Sequence, residues 1–409
     1  MLNAIPQPNE KRIAIHITPA AGRHLRKGHP WLFADSIRKQ SFNGRPGDLA
    51  VIFDKNRKFL AIGLYDPLSP IRVRILQANN SATIDRTWFQ AKMETAVQRR
   101  LPLQQSNSNG YRLIHGENDG LSGLVIDRYD QTYVLKLYSL AWIPHLEDML
   151  AALTAISQPQ AVILRLNRAM QKNEEYLYGL QDGQALVGTQ PKHPVQFLEN
   201  NIRFEADVVH GQKTGFFLDQ RDNRAKVESL AMGKTVLNVF AYTGGFSVYA
   251  ARGGATEVTS LDLSKPALQD AQRNFALNQD NPNVTQAKHE LLAGDAFQLL
   301  KELQQAGRTF DIVILDPPSF AKKQDEVEGA LAAYGRLTKL GLGVLKKGGI
   351  LVAASCSSRV DADTFFKTVS LAALDVKRPL SEIERTSHAL DHPINFPEGA
   401  YLKCLFATA

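Results

Sequence analysis

Two short segments carry side chains that packing alone does not explain. One is Asp316-Pro317-Pro318-Ser319-Phe320, at the end of an apolar run. The other closes the run Ile350-Leu-Val-Ala-Ala-Ser-Cys-Ser-Ser358, with Cys356 lying 40 positions after Asp316. A thiolate combines nucleophile and leaving group better than other common side chains. That combination suits addition to an electron-poor ring carbon. Cytosine C5 is a poor nucleophile, but thiolate addition at C6 turns the ring into an enamine, and C5 can then attack a sulfonium methyl group. A base afterwards removes the C5 proton and the thiolate leaves. The bland alternative is a buried core cysteine, the ordinary fate of this residue type. The flanking Ser355, Ser357 and Ser358 argue against an apolar pocket and favour the nucleophile. Cys404, within the alternating Tyr401-Leu-Lys-Cys-Leu-Phe406, reads as core.

Paired prolines fix the backbone and remove N–H groups. The Asp316 carboxylate and nearby carbonyl groups can then face a flat, donor-rich base edge, with Pro317 and Pro318 shaping the turn and Phe320 able to stack on the base. A rigid strand exit with a helix-capping Asp is the structural alternative. The thiol separates these chemistries, because the same turn serves methyl transfer to exocyclic amines or guanine N7, where no thiol is needed.

A methyl donor needs a pocket of its own. Val236-Leu-Asn-Val-Phe-Ala-Tyr-Thr-Gly-Gly-Phe-Ser247 reads as a strand, a glycine pair and a helix. Gly244 and Gly245 would let backbone approach a ligand closely, or would simply make a turn. Phe240, Tyr242 and Thr243 lie in the same connection. Asp262 ends the next strand, 18 residues after Gly244, where a carboxylate can accept from a ribose diol. Asp295 ends the following strand and could take an adenine amino group. The spacing is not G-x-G-x-x-G, so a dinucleotide is disfavoured. Together these carboxylates point to an adenosine cofactor.

The positioning elements follow from hydrophobic periodicity. From about residue 195, short apolar strands at 235–240, 257–262, 291–294, 311–315 and 350–354 alternate with helical stretches at 247–252, 264–277, 296–306 and 330–345. That is the pattern of an α/β doubly wound parallel sheet. Residues 11–78 read instead as short strands broken by turns, with a helix beginning near Pro19. Residues 81–190 read as a compact α+β module: a helix at 84–100, a hairpin across Asp130-Gln131, a helix at 144–156 and a strand at 161–166. Three domains are expected, 1–80, 81–194 and 195–409.

Net charge is +7, and its distribution matters more than its size. Residues 1–80 hold 13 Lys+Arg against 5 Asp+Glu, so the whole excess lies there. A concentrated basic surface favours polyanions, nucleic acid above all, over a merely solubilising role. Two cysteines make neither a disulfide framework nor a zinc pattern, so no metal is expected. No apolar stretch approaches the roughly 20 residues needed to span a bilayer. The N-terminus lacks a signal-peptide layout. A cytoplasmic protein without membrane partners is the expectation. A homodimer is compatible with the sequence, which fixes no oligomeric state.

Several segments together carry a family resemblance: 116–130 (GENDGLSGLVIDRYD), 213–224 (KTGFFLDQRDNR), 238–246 (NVFAYTGGF), 315–320 (LDPPSF), 354–357 (ASCS) and 391–403 (DHPINFPEGAYLK). The chain resembles, over nearly its whole length, the bacterial large-subunit rRNA cytosine-C5 methyltransferases. The resemblance implies a PUA domain, a central α+β domain and a Rossmann-like catalytic domain that uses S-adenosyl-L-methionine (SAM). It implies a cytosine of 23S rRNA as target, as naked RNA or in the assembling large subunit, and Cys356 as nucleophile. It also implies that Phe217, Asp219 and Gln220 line the SAM pocket from the segment before the first strand. Another group of RNA cytosine-C5 methyltransferases carries a second cysteine after the fourth strand; here Pro317, Pro318 and Ser319 stand there. The C5-proton base is thus unassigned, with Asp316 a candidate. Outside catalysis, the remaining reading is an RNA-binding assembly factor that keeps the fold without turnover. Lys322 and Lys323 read either as part of an RNA-closing loop or as a solvated charge run. Arg221 and Arg224 read as phosphate ligands or as partners of Asp219 and Asp222, and His392 as a weak pocket candidate.

Overall fold

The computed structural model describes residues 4–409. They form two compact units. The first takes the described chain up to Asn201 with Ala206–Phe216 and Leu390–Phe396. The second takes Ile202–Glu205, Phe217–Ala389 and Pro397–Ala409.

The first unit holds two sheets. One has six strands in the order Trp31–Phe33, Ile71–Ala78, Phe59–Tyr65, Leu49–Phe53, Ile13–Ile17, Ile37–Gln40. The period-two pattern of the sequence is kept: Ile13, Ile15 and Ile17 are buried and the residues between them are not. The helix Pro19–Arg26 starts where expected, because Thr18 Oγ1 accepts from Ala21 N at 3.3 Å and Pro19 occupies its first turn. Arg23, His24 and Arg26 fall in its last turn and stay exposed.

The second sheet runs Ala185–Val187, Ala161–Leu166, Thr132–Leu137, Leu124–Tyr129, Gly110–His115. Helices Arg86–Gln105 and Leu146–Ser157 add Phe89, Met93, Met149 and Leu153 to its core. Arg100 is fully buried and grips Asp119 with two bonds, 2.7 and 2.9 Å. It also donates to the Asp391 carbonyl at 2.9 Å, and the Asp391 carboxylate accepts from Arg112 N at 2.8 Å. Such burial of charge is tolerated only with this degree of pairing.

The second unit carries a seven-stranded sheet: β1 (Thr235–Val239), β2 (Glu257–Asp262), β3 (Lys288–Ala293), β4 (Phe310–Leu315), β5 (Leu345–Ser355), β6 (Ser381–Thr386) and β7 (Lys403–Thr408). The order is β3-β2-β1-β4-β5-β7-β6. All neighbours are parallel except at β7, which is antiparallel to β5 and β6. The longer helices are α1 (Arg221–Leu230), α2 (Gly245–Arg252), α3 (Lys265–Ala276), α4 (Ala296–Gln305), α5 (Val327–Gly343) and α6 (Ala362–Asp375). Leu300, Tyr334, Leu337, Phe365 and Val369 from α4, α5 and α6 share one core with Leu237, Val313 and Leu351 of the sheet. Strand order reverses between β1 and β4, so their outgoing loops diverge and leave a crevice for a ligand.

Two features exceed the sequence reading. β5 reaches back to Leu345 through Lys346-Lys347-Gly348-Gly349, of which Lys347 and Gly348 are exposed. β6 is an edge strand whose residues are nearly all exposed, so it carries no apolar pattern to read.

Candidate functional site

The loop leaving β1 is held in an uncommon backbone shape. Phe240 and Tyr242 have φ of 62° and 49°, in the left-handed region that non-glycine residues seldom adopt. The neighbours that hold it there are identifiable. Ala241 N donates to Leu261 O at 2.9 Å, and Tyr242 N donates to Asp262 Oδ2 at 2.8 Å. Asn274 Nδ2 of α3 donates to Thr243 O at 2.8 Å. Gly244 closes the loop with φ 77°, and a Cβ on it would lie 2.8 Å from Ala271 Cβ. Gly244 therefore brings the loop against α3 as well as shaping the turn, and Gly245 begins α2.

Asp262 braces this loop and its own exit together, because its Oδ1 accepts from Ser264 N at 2.8 Å. Each oxygen keeps a second lone pair, and the residue is only half-buried. Asp295 is exposed and caps α4, with Oδ1 accepting from Gln298 N at 3.0 Å. Phe217 meets Tyr242 edge to face at 5.0 Å between ring centroids. Asp219 is buried and accepts from the Tyr401 hydroxyl at 2.9 Å. Gln220 is buried, its Oε1 bonded by Asn223 Nδ2 at 2.6 Å. Arg224 is buried too and donates to Phe217 O at 2.9 Å, while the buried Arg221 pairs with Asp222 at 3.2 Å. Both arginines serve the protein's own chain there.

The donor and acceptor set fits SAM. Asp262, Asp295 and Asp316 follow three of the parallel strands at their C-terminal ends. Such acceptors suit a ribose diol, an amino group and a sulfonium cation, and would repel a pyrophosphate.

The second half of the site lies on β4 and β5, which are parallel neighbours. Cys356 Sγ lies 3.9 Å from Pro317 O, so the thiol sits against the Asp-Pro-Pro turn. Ser357 Oγ donates to Ala321 O at 2.9 Å and fastens the two loops together again. Tyr334 of α5 bonds Ser355 Oγ at 2.8 Å, just before Cys356. Burial pushes the Tyr334 hydroxyl up to about 12, which keeps it neutral. Pro317 is buried and Pro318 exposed. Phe320 is half-buried against Tyr334, 5.0 Å between centroids, so part of its ring belongs to the core. Cys356 is half-buried, whereas Cys404 is fully buried and its thiol is pushed up by that burial.

Lys322 and Lys323 are exposed and donate their backbone N–H groups to Glu326 Oε2 at 2.6 and 3.1 Å, which orders that loop locally. His392 belongs to the first unit, its ring tilted against that of His115 at 5.0 Å between centroids and bonded to Asp391 Oδ1 at 3.0 Å.

Three residues of the site were missed by the sequence reading: Tyr334 and Lys403, which bond the residues flanking Cys356, and Tyr401, which bonds Asp219. Lys403 had a signal, being a lone charge inside the apolar run Leu402-Lys-Cys-Leu-Phe-Ala407. Among the described residues no His, Cys, Asp and Glu cluster could hold a metal ion, and no helix is long and apolar enough to cross a membrane.

Residues 146–405 match the S-adenosylmethionine-dependent methyltransferase family, and residues 15–78 match the PUA-like domain. The "Ribosomal RNA large subunit methyltransferase" of Deinococcus radiodurans is 46% identical over 406 residues, 98% of each chain. The "Ribosomal RNA large subunit methyltransferase I" of Pseudoalteromonas translucida is 37% identical, over 96% of this chain and 98% of that one. Its namesake in Shewanella frigidimarina is 38% identical, over 97% and 99%. Among solved structures, a candidate methyltransferase complexed with SAH superposes with a TM-score of 0.82 at 23% identity, over 97% of this chain and 100% of that one. The likeness establishes the fold: a PUA-like domain and a Rossmann-like methyltransferase domain.

Proposed function

This chain belongs to the S-adenosylmethionine-dependent methyltransferases, among those of large-subunit ribosomal RNA, and from that premise we propose that it forms 5-methylcytosine in 23S rRNA through a Cys356 adduct. The observation that carries the reading is the 3.9 Å approach of Cys356 Sγ to Pro317 O. It puts a half-buried thiol at the end of β5 beside the Asp316 turn at the end of β4. Methyl transfer to an amine or to guanine N7 has no use for a thiol there.

SAM, when bound, supplies the methyl group; Phe217, Asp219, Gln220, Phe240, Tyr242, Thr243, Gly244, Gly245, Asp262, Asp295 and Asp316 are the residues that would hold it. Cys356 adds to C6 of the cytosine, and C5 gains the electron density it needs. Asp316, with Pro317 and Pro318, orients the base edge, and Phe320 stacks with the part of its ring outside the core. Once C5 carries the methyl group, a base takes the C5 proton, the C5–H electron pair re-forms the C5–C6 double bond, and the C6–S bond breaks to release the Cys356 thiolate. Residues 1–80, rich in Lys and Arg, hold the RNA or the assembling large subunit by charge.

The test is direct. Cys356→Ala, incubated with SAM and undermethylated 23S rRNA, should yield no 5-methylcytosine, read by nucleoside mass spectrometry. Wild-type-like turnover would overturn the covalent mechanism. A different methylated base appearing with wild-type protein would favour amine or N7 transfer.

A further inference from the structure

Lys403 is 96% buried, at 4% exposure, yet it is a lysine. It stands opposite Ser355 across the antiparallel pair β5/β7, one residue before Cys356. Its ammonium donates to three backbone carbonyls, those of Ser357, Val360 (2.5 Å) and Tyr401 (3.1 Å). Two of these belong to the loop that begins with Cys356. An ammonium has three N–H donors and no acceptor. All three are therefore spent on carbonyls, which fixes the group in its charged form and leaves no lone pair to take a proton.

A buried charge is costly unless a counter-charge repays it. No carboxylate lies within ion-pair distance of Lys403 among the described residues. Burial pulls its pKa down to about 8, and the two groups that raise it again are Cys356, first, and Asp361. Asp361 is engaged at the N-terminus of α6, accepting from Thr364 N at 2.8 Å and from its hydroxyl at 2.7 Å. Tyr334 from α5 and Asp316 from the β4 turn also lie at this corner, and neither supplies positive charge. Lys403 is a buried cation bonded to the residue that follows Cys356.

We propose that Lys403 is a positioning residue for the methyl-transfer reaction: its buried ammonium pins the Ser357 and Val360 carbonyls and holds Cys356 as a thiolate. The inference rests on the proposed role of Cys356 as nucleophile and supplies what that role requires. At neutral pH a free thiol is mostly protonated, and a nearby fixed cation shifts the balance toward thiolate. The same three bonds rule out Lys403 as the base that removes the C5 proton.

The measurement is alkylation of Cys356 by iodoacetamide as a function of pH, followed by peptide mass spectrometry. It needs neither RNA nor SAM. Cys404 serves as the internal control, because its fully buried thiol should stay unmodified while the protein is folded. In the wild type the midpoint for Cys356 should fall below the roughly 8.5 of a free cysteine. Lys403→Met should raise it by about one unit and slow alkylation at pH 7 by about tenfold. Lys403→Arg, which keeps the charge, should hold the midpoint near that of the wild type. A wild-type midpoint at or above 8.5 overturns the proposal even if Lys403→Met fails to fold, and so does an unshifted midpoint in folded Lys403→Met. A lowered midpoint alongside full methylation by Cys356→Ala would sink the adduct mechanism and leave the thiolate assignment standing.

Discussion

The backbone N–H of Tyr242 donates to the Asp262 carboxylate at 2.8 Å, tying the loop after β1 to the end of β2. One side chain thus holds the left-handed Tyr242 in place and offers its remaining lone pairs outward. Asp262→Ala removes both functions. Leaving the N–H groups of Tyr242 and Ser264 without their acceptor costs about 1–3 kcal/mol. The expected outcome is a loss of SAM affinity of about tenfold or more by titration calorimetry, equivalent to about 1.4 kcal/mol or more. Unchanged affinity would remove Asp262 from the pocket.

Gly244 tests the same loop by packing. Its φ of 77° and the 2.8 Å approach to Ala271 Cβ oppose any larger residue. Gly244→Ala should destabilise the protein by about 1–3 kcal/mol, the usual cost of overpacking combined with a left-handed alanine. Part of that cost is a clash with one methyl group. The double variant Gly244→Ala with Ala271→Gly should therefore recover some stability and SAM affinity, in a thermal and calorimetric double-mutant cycle. Strict additivity of the two substitutions would mean that the α3 contact is irrelevant.

Much of this site was legible in the sequence, for a physical reason. Parallel strands are buried on both faces, so β1, β2 and β4 appear as short apolar runs, and ligand groups gather where those runs end. Asp262, Asp316 and Cys356 became candidates that way. Gly244 was legible as a close approach to a ligand or as a turn, whereas its contact with Ala271 was not, since it joins residues 27 positions apart. Asp295 shows the limit of residue type: the same carboxylate that suits an amino group also caps α4. β6 was illegible because an edge strand buries little and needs no pattern. Lys403 stood out as a lone charge in an apolar run, but its partners are backbone carbonyls, which have no sequence signature.

Tyr334 offers a stability test beside the thiol. Its hydroxyl bonds the fully buried Ser355 Oγ at 2.8 Å. Tyr334→Phe keeps the ring against Phe320 and Phe365 and deletes the hydroxyl's bonds, to Ser355 and to the Phe320 backbone. The expected loss is about 1 kcal/mol, or a fall in Tm of about 2–4 °C for the methyltransferase unit by scanning calorimetry. Methylation should fall severalfold, because Ser355 leads directly into Cys356. An unchanged Tm together with unchanged turnover would show that the bond neither stabilises nor positions.

His289 makes the unit acid-sensitive well away from the thiol. The ring stacks on Phe275 of α3 at 3.7 Å between centroids, and its Nε2 bonds Ser260 Oγ at 2.8 Å. Ser260 in turn bonds Ser247 at 2.7 Å, and Ser247 accepts from Asn238 at 2.9 Å, so the chain of bonds runs from β3 through β2 to β1. Burial lowers the pKa of His289 from 6.5 to about 4. The unfolded chain therefore binds a proton more readily than the folded one. Stability is fully present above pH 6.5 and is lost as the pH falls from there toward 4. Each unit of that interval is worth about 1.4 kcal/mol, so between pH 6.5 and pH 5 the loss from this one group approaches about 2 kcal/mol. His289→Gln keeps a side chain able to bond Ser260 but cannot take up a proton at these pH values. Thermal unfolding at pH 7 and pH 5 should show a smaller drop in Tm for His289→Gln than for the wild type. Equal drops would place the acid sensitivity in other groups and show that His289 titrates alike in the folded and unfolded chain.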